Sequence, residues 1–584
     1  MSVSDSAYPP LGSHVAARAR LDWATFLLGF AAAAAVLTGV GLAALWLVRN
    51  PLITGWDYLA HVNATLADAA LVHAHQWGAV RDQFFLLERF QPPGLRLLGL
   101  PVALAFPHAA LTALRLSATV CFVLTALLLF AGLRRMAGTA GAAAAVLVYA
   151  LAPVNITGAQ NFMTEQVLLP CAAAVLGLLA AELGASPRSP GTAAGAGQVV
   201  RLVGLGLALG WGTLTKLTFL PTFGIVWLGT VLLIWWRERE RAALLLRLVL
   251  PAALLLLVAW PHYLLNGPRY LAYARATANG FAFQIWPERG MAFAARIVTT
   301  LIGEVFGPAG AAVLAAGLVM LGLTWRRLGA GARGFAVMCA LAGLPTLAAY
   351  CFSRNQTDRY MMLDTLLFGV PAAIGFGAAL RAALPAARVA VLIAAAAAAA
   401  ELAAAWAIAA GTGLDGALLS GLVYASVRPN YACDDRILAR LTPPTDGPVR
   451  IGVYGESQAV NPNDLTYGYR QAGVPAYVLQ FSNSSSSAID WDAILQLAAQ
   501  VDYVVIPEQV DGWYAGLATN RTRAEFPQRL AAVAQVTPLG VVATGPQPQC
   551  RAALYAVHPL PGAPAPRRPP LLPDTFIPGW TAGM

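Results

Sequence analysis

The sequence predicts an α-helical polytopic membrane protein of about eleven transmembrane helices, followed by a small C-terminal α/β domain outside the membrane. Of its 584 residues, 58% are hydrophobic and 11% are charged, whereas soluble globular proteins carry about 25% charged residues. The net charge of +10 arises before residue 411, because the segment from there to the end holds 11 Arg and 13 acids. This composition excludes a disordered protein, a basic nucleic-acid-binding protein and an ordinary cytosolic enzyme.

The membrane helices are predicted from apolar runs, since a helix needs about 20 residues to cross a hydrocarbon core about 30 Å thick. The first run is too long for a signal peptide, and it lacks a convincing cleavage site. We therefore expect a cytoplasmic N-terminal tail over 1–22 and a membrane domain over 23–410. The eleven runs are 23–48, 111–133, 138–154, 163–183, 199–216, 218–236, 245–264, 306–324, 334–352, 360–380 and 388–410.

The orientation of the helices is predicted from the arginines, because basic residues concentrate in short cytoplasmic loops. All the arginine clusters fall on one side if the N-terminus is cytoplasmic, and eleven spans then place the C-terminal segment outside. An extracytoplasmic C-terminal domain in a bacterial inner or cell membrane is therefore expected. The clusters are Arg18 and Arg20; Arg134 and Arg135; Arg188 and Arg201; Arg237, Arg239 and Arg241; Arg326, Arg327 and Arg333; and Arg381 and Arg388.

The external segments are the long ones: 49–110, 265–305 and 411–584. Loops of such length without a function are uncommon. The C-terminal segment alternates strand-like and helix-like stretches and ends in a Pro-rich tail over 560–573, which predicts a small α/β domain. The predicted strands are Val449–Tyr454, Ala476–Phe481 and Val501–Ile506, and the predicted helices are Asp490–Gln500 and Ala524–Gln535.

Six cysteines are present, and four of them lie in or beside the spans, where they are most simply packing residues. Cys433 and Cys550 lie in the external domain, where an oxidising compartment would permit a disulfide. We keep that pair as a disulfide candidate. No cysteine has metal-ligand spacing.

Asp57 follows the first span and precedes His61 by four residues, so a helix would place both on one face. A carboxylate between Trp56 and Tyr58 at the membrane surface is suited to act as a general base, because partial desolvation raises its pKa. The alternative is a carboxylate that caps the start of an interfacial helix.

Glu165 and Lys216 lie at the outer ends of the fourth and fifth spans. A charge at Glu165 is costly unless it faces a cavity or a partner, although it could also face water at a helix start. Lys216 is the single lysine beside 37 arginines. Its position opposes the positive-inside rule and favours an anionic partner, the alternative being a side chain that reaches to the interface.

Arg359 and Tyr360 open the tenth span, and arginine is the preferred planar donor to phosphate. A surface pair between Arg359 and Asp358 is the alternative. Glu401 lies within the eleventh span, and we expect it to be buried in the bundle without an assigned role.

The predicted topology brings Asp57, Glu165, Lys216 and Arg359 to the outer membrane face from four separate segments. Carboxylates and cations at one interface are suited to a phosphate-bearing lipid and to a nucleophile that must lose a proton. These four residues are therefore the candidate site.

Six short motifs, in this order along residues 50–380, resemble the GT-C glycosyltransferases. The branch that they resemble comprises the dolichyl-phosphate-mannose–protein mannosyltransferases and the lipid A aminoarabinose transferases. The motifs are Trp56-Asp57; Gln91-Pro92-Pro93-Gly94-Leu95; Tyr149-Ala150-Leu151-Ala152-Pro153 with Thr164-Glu165; Gly204 to Gly210 with Thr215-Lys216; Trp260-Pro261-His262-Tyr263; and Arg359-Tyr360.

The resemblance implies a GT-C-like fold and transfer of a sugar from a polyprenyl-phosphate donor to a lipid, glycan or protein acceptor, with inversion. It implies Asp57 as the base and Glu165 as the second acid. Lys216 and Arg359 would bind the donor phosphate, with His61, Tyr58, Gln91 and Tyr360 in support. Many relatives have a second acid at the position of Tyr58 and a histidine at that of Gln91. The acceptor and the metal requirement can therefore differ from theirs, and a divalent metal ion remains an open alternative.

Two other functions compete with this hypothesis. A transporter or flippase for a lipid-linked anion would place charges near the bilayer midplane and would contain repeated, interrupted helices, which the sequence does not indicate. A non-catalytic scaffold or sensor would leave the four interfacial residues unexplained.

Overall fold

The computed structural model of the chain describes residues 23–49, 56–85, 92–184, 195–238, 241–279, 290–352, 358–410, 434–441, 448–457, 460–481, 489–510, 517–543 and 551–560. Only the backbone is described at 56–57, 238, 241–243, 269, 272–279, 352, 358 and 434–435. The predicted class is confirmed, because these residues form a bundle of apolar helices joined to a small domain that contains one sheet.

Ten helices of the described residues are long and apolar enough to cross a membrane. Helices α1 to α15 make up the bundle and the segments that connect its spans. Their bounds are α1 Trp23–Arg49, α2 Trp56–His73, α3 Trp77–Phe85, α4 Gly94–Ala105, α5 Ala110–Leu151, α6 Pro153–Ala159, α7 Thr164–Gly184, α8 Ala196–Thr215, α9 Phe219–Glu238, α10 Arg241–Asn279, α11 Gly290–Thr300, α12 Pro308–Thr324, α13 Ala330–Phe352, α14 Met362–Arg381 and α15 Pro385–Ala409.

Helix α5 comprises two antiparallel arms, which reconciles ten long helices with eleven predicted spans. The backbone of Gly138 has φ 75° and ψ 170°, a conformation that glycine adopts without steric cost. The Tyr149 hydroxyl donates to the carbonyl of Phe122 at 3.2 Å. In one straight helix these residues would lie about 40 Å apart along the axis. The chain therefore reverses at Gly138, and the second arm continues through α6 after Pro153.

The end of the bundle at which α7 finishes and α8 begins contains a buried ionic cluster. Glu182 accepts from Arg201 Nε at 2.6 Å, from Arg247 Nε at 3.2 Å and from Gln198 Nε2 at 3.2 Å. Arg237 donates to the carbonyl of Leu183. Arg201 and Arg237 are among the arginines from which the cytoplasmic side is predicted, and Glu182 gives Arg201 a structural role.

The C-terminal domain is built on a five-stranded sheet of order β2-β1-β3-β5-β4. Strand β1 runs parallel to β2 and β3, whereas β5 is antiparallel to β3 and β4. Apolar clusters cover both faces of the sheet. The elements are α16 Asp434–Leu438, β1 Val449–Val453, α17 Pro462–Gln471, β2 Ala476–Gln480, α18 Trp491–Ala498, β3 Tyr503–Pro507, α19 Ala518–Arg521, α20 Phe526–Ala531, β4 Gln535–Ala543 and β5 Arg551–His558.

The three predicted strands and two predicted helices of this domain are present, with shorter bounds for both helices. Strands β4 and β5 were not predicted. The β4 sequence contains Pro538 and Gly540, where the pairing register shifts, and these residues interrupt the alternation that marks a strand. The boundary at 411, the disulfide candidates Cys433 and Cys550, and all of the Pro-rich tail except Leu560 lie outside the described residues.

Candidate active site

The centre of the candidate site is an ion pair between two helix ends. Glu165 lies in the first turn of α7, and Lys216 follows the last residue of α8. A helix start favours an anion and a helix end favours a cation, so each backbone supports the charge that it carries. Lys216 Nζ lies 2.7 Å from Glu165 Oε1. Glu165 is almost fully buried, whereas the Lys216 side chain is 29% exposed.

Thr164 supplies the second oxygen of Glu165 with a donor, because its hydroxyl lies 2.8 Å from Oε2. Both carboxylate oxygens therefore accept a hydrogen bond, which a buried charge requires. The predicted anionic partner of Lys216 is thus a side chain of the protein itself.

Arg359 and Tyr360 complete the cluster from a short 3₁₀ turn, Asp358–Met361, at the start of α14. Lys216 Nζ lies 4.8 Å from the centroid of the Tyr360 ring, and Arg359 Cζ lies 5.4 Å from it. An aromatic face attracts cations at such distances. Arg359 also contacts the sulfur of Met163 at 3.7 Å.

This cluster holds two cations and one carboxylate, so it has one positive charge in excess. It is assembled at the end of the bundle opposite the Glu182 cluster, where α7 begins and α8 ends. A partly exposed ammonium beside a guanidinium is suited to bind a phosphate. Glu165 keeps the ammonium oriented without cancelling the whole charge.

The Gln91-Pro92-Pro93-Gly94-Leu95 motif lies against the segment that carries Lys216. A Cβ atom on Gly94 would lie 2.7 Å from the backbone nitrogen of Thr215 and 2.8 Å from its Cα. Only glycine permits this approach, because a methyl group would overlap the Thr215 backbone. Gly94 therefore brings the segment between α1 and α5 onto the end of α8.

The Trp260-Pro261-His262-Tyr263 motif anchors the same segment. His262 Nδ1 lies 3.0 Å from the carbonyl of Phe84, and Asn266 Nδ2 lies 3.1 Å from that of Phe85. Because a carbonyl only accepts, Nδ1 carries the proton and Nε2 accepts from the Tyr270 hydroxyl at 2.9 Å. Tyr263 donates to the carbonyl of Thr213 at 2.6 Å, so the motif joins α3 to α8.

The Tyr149-Ala150-Leu151-Ala152-Pro153 motif lies where α5 ends and α6 begins, and it is bonded to the tenth span, α14, through the residue Asn155. Asn155, just after it, donates to the carbonyl of Tyr149 at 2.9 Å and to the Thr365 hydroxyl at 3.0 Å. These bonds tie α6 to α14 close to the turn that carries Arg359.

Not every predicted site residue can be placed. Asp57 lies in the first turn of α2, but its side chain is outside the described part, as is all of Gln91. His61 is buried on the same helix, four residues after Asp57, and Tyr58 packs partly buried with Leu59 and Val62. The structure thus brings Glu165, Lys216, Arg359 and Tyr360 together, whereas the position of the Asp57 carboxylate stays a prediction.

Asp364 is an acid that the sequence reasoning missed. It lies on α14, one helical turn from Tyr360, and is fully buried. Among the described residues neither carboxylate oxygen has a hydrogen-bond partner, and Oδ1 faces Gly343 on α13. An acid within an apolar run is the signal that could have identified it.

Glu401 is buried in the bundle as expected, and the structure gives it a role. Its Oε2 accepts from the backbone nitrogen of Ala309 at 2.6 Å. It therefore caps the first turn of α12, where an unpaired backbone donor would otherwise be buried. Within the described residues no group of three or more His, Cys, Asp or Glu side chains could hold a metal ion.

Comparison with solved structures shows the fold. ArnT from Cupriavidus metallidurans in the apo state is 15% identical, with a TM-score of 0.55 over 89% of this chain and 97% of that one. The same protein bound to undecaprenyl phosphate is 17% identical, with a TM-score of 0.52 over the same shares.

The Archaeoglobus fulgidus oligosaccharyltransferase tethered to an acceptor peptide containing the NVT sequon is 14% identical, with a TM-score of 0.53 over 91% of this chain and 74% of that one. The sequence itself matches no family model and no curated protein. The chain therefore has the GT-C fold that its motifs imply, at identities that show the fold alone.

Proposed function

We propose that this GT-C-fold chain is a membrane glycosyltransferase that moves a sugar from a polyprenyl-phosphate donor to an acceptor on the extracytoplasmic face. The observation that carries the proposal is the cluster of Lys216 and Arg359 around Tyr360, held by Glu165 at one end of an apolar bundle. A lipid phosphate lies at the surface of the bilayer when its polyprenyl chain is in the membrane, and the predicted topology places these residues at that surface. The ArnT structure bound to undecaprenyl phosphate has the same fold, which supports this class of donor.

In the proposed reaction the acceptor attacks the anomeric carbon of the sugar from the face opposite the phosphate. The anomeric carbon–oxygen bond breaks, and its electron pair leaves with the phosphate, so the configuration is inverted. Asp57 takes the proton of the acceptor as the new bond forms. Lys216 and Arg359 stabilise the charge that develops on the phosphate, and holding both substrates in line supplies further rate enhancement.

Glu165 has a positioning role in this proposal. It fixes the ammonium of Lys216 at 2.7 Å and leaves the exposed part of that side chain available to the donor. Preorganised charges need no rearrangement when the transition state forms. A Glu165 carboxylate that fixes the Lys216 ammonium in place therefore favours the reaction.

The acceptor class, the sugar and the location belong to the same proposal. We infer a bacterial cell membrane with the N-terminus in the cytoplasm and the C-terminal domain outside, from the arginine distribution. A lipid, a glycan or a protein is suited as acceptor, since each offers a nucleophilic hydroxyl or amine.

The decisive experiment uses the full-length protein in liposomes with radiolabelled polyprenyl-phosphate sugars and a membrane extract as the acceptor source. Asp57→Asn should lose transfer by at least about 100-fold while donor affinity is unchanged. Lys216→Met should weaken donor affinity by about 10-fold or more, and Lys216→Arg by less. Arg333→Gln, at the predicted cytoplasmic end, is the matched control and should behave as the unmodified protein.

Near-normal turnover of Asp57→Asn would remove Asp57 from the reaction. Unchanged donor affinity of Lys216→Met would separate the cation cluster from the donor. Donor binding without transfer by the unmodified protein, with any acceptor fraction, would favour a scaffold, and movement of the donor across the bilayer without transfer would favour a flippase.

A further inference from the structure

The C-terminal domain holds α2 at Asn63 through two hydrogen bonds. Asn63 of α2 donates from Nδ2 to the carbonyl of Asn463 at 2.9 Å, and Arg470 donates to the carbonyl of Asn63 at 2.8 Å. Asn463 and Arg470 lie near opposite ends of α17, and this helix packs against α2. Asn63 is 4% exposed, and both contacts are part-buried.

Tyr467, between these two contacts, inserts into an apolar cluster of the membrane domain. The cluster consists of Leu59, Val62, Leu95, Leu111, Leu114, Phe162 and Val167. Burial raises the pKa of the Tyr467 hydroxyl, which therefore stays neutral. An aromatic ring in such a position has a large apolar area to bury.

This cluster is continuous with the candidate active site. Phe162 and Val167 flank Glu165 in sequence, and Leu95 follows Gly94, which packs on Thr215 beside Lys216. Arg115, which is also buried, donates to the carbonyl of Gln160 at 3.1 Å and holds the loop that precedes Glu165. The cluster around the ring of Tyr467 thus includes two residues beside Glu165 and one residue of α4, the helix whose start packs against Thr215.

Helix α17 is itself locally stabilised. Asn461 caps its start, where its Oδ1 accepts from the backbone nitrogens of Asn463 and Asp464 at 3.0 and 3.1 Å, and Pro462 occupies the first turn. Such a cap stabilises a helix by about 1 kcal/mol. The domain therefore presents a fixed edge to α2.

Asp57 lies six residues before Asn63 on the same continuous helix, a rise of about 9 Å. A helix held near its middle and packed along one face transmits that constraint to its first turn. A misplacement of about 1 Å at a reacting group lowers rates by about 100-fold, so the orientation of α2 matters to any base at its start.

We propose that the C-terminal domain is a positioning element of the transfer site, and that Tyr467, Arg470 and Asn63 hold α2 so that its first turn is correctly placed for the acceptor step. This inference rests on the proposed function. It assigns these three residues no contact with substrate.

The test uses the full chain in liposomes and two pairs of variants, Tyr467→Ala with Tyr467→Phe and Arg470→Met with Arg470→Lys. The first of each pair should lower kcat by about 10-fold to 100-fold, with the donor KM within about 2-fold, because Lys216 and Arg359 are untouched. The second of each pair keeps the ring or the cation and should restore most of the rate. Arg551→Met, whose ion pair with Glu508 lies within the C-terminal domain, is the matched control.

Hydrogen exchange of the α2 amides in the same proteoliposomes provides a readout besides activity. Exchange should be faster in Tyr467→Ala and Arg470→Met and unchanged in Arg551→Met. Unchanged exchange with unchanged kcat overturns the proposal, as does faster exchange with full activity. An equal loss with Tyr467→Phe or Arg470→Lys also overturns it. If the unmodified protein transfers no sugar but α2 exchanges faster in Tyr467→Ala and Arg470→Met, the proposed function is wrong. The inference that the C-terminal domain holds α2 then still stands.

Discussion

Lys216 illustrates how one side chain acquires a role from its surroundings. The chain uses arginine at 37 other basic positions, yet here a compact ammonium reaches Glu165 at 2.7 Å and the Tyr360 ring at 4.8 Å. The lysine ammonium is a compact charge on a flexible side chain, so it can contact an acid and an aromatic face together. The guanidinium of arginine is wider and planar, which makes it less suited to this position. The Lys216 side chain stays 29% exposed beside this ion pair, and under the proposed function it binds the donor phosphate from that side.

At this scale we predict the consequence of removing the Glu165 carboxylate. Glu165→Leu should lower the free energy of unfolding by about 1–3 kcal/mol, because Lys216 and Thr164 both lose an acceptor in a buried place. Thr164→Val should cost about 1 kcal/mol, since it removes one of those bonds. Thermal unfolding of the purified protein in detergent measures both.

The double variant Glu165→Leu with Lys216→Met separates the pair from its surroundings. If the two residues stabilise each other, the double variant should lose less than the sum of the single losses, by about 1 kcal/mol. Strict additivity would show that the ion pair contributes nothing to stability.

At the scale of the elements, close packing holds α3 and α4, which lie between α1 and α5, against the bundle. Helix α4 begins at Gly94 with its backbone against Thr215, while α3 ends at carbonyls held by His262 and Asn266. The motifs that contain Gly94 and His262 are each weak evidence for a family, but in the structure they serve the same purpose. They hold the segment between α1 and α5 against the end of α8 and against α10.

The element-scale prediction concerns Gly94. Gly94→Ala should lower stability by about 1–3 kcal/mol and should also lower transfer, because the new methyl group must displace Thr215 and with it Lys216. Gly78→Ala is the matched control on α3, where a Cβ meets nothing within 4 Å and alanine favours the helix. Thermal unfolding and the transfer assay report the two effects.

Equal behaviour of the two glycine variants would contradict this account of the Gln91-Pro92-Pro93-Gly94-Leu95 motif. A loss of stability in Gly94→Ala without any loss of transfer would limit the motif to folding and would separate it from the position of Lys216.

For the whole molecule, the two ends of the bundle differ in chemistry. One end holds the Glu182 cluster with Arg201 and Arg247, and the other holds the Lys216 cluster beneath the C-terminal domain. The reversal of α5 at Gly138 adds one span to the bundle. The resulting odd number of spans places the first and the last span residues of the membrane domain at opposite ends of the bundle.

The molecule-scale prediction is the topology. Alkaline phosphatase fused after His558 should be active and green fluorescent protein there should be dark, because that point is predicted to be outside. After Arg327, between α12 and α13, the two reporters should give the reverse result. The same result at both points would contradict the eleven-span arrangement.

The sequence by itself determined the class of the protein, most of its spans and the residues of the central cluster. Apolar runs, arginine positions and an isolated lysine are local features, and the requirement to bury apolar side chains in lipid makes them decisive. The same holds for β1, β2 and β3, whose apolar runs mark buried strands.

Only the tertiary structure decided which groups meet. Lys216 pairs with an acid 51 residues earlier, and Asn63 bonds to residues 400 and 407 positions later. Asp364 lies one turn from Tyr360 and has no hydrogen-bond partner in the part of the chain that the structure describes. Such contacts depend on the packing of several helices at once, which no local pattern encodes. The candidate residues could therefore be chosen from the sequence. Their pairing, and the hydrogen bonds between the C-terminal domain and α2, follow from the packing of the folded chain.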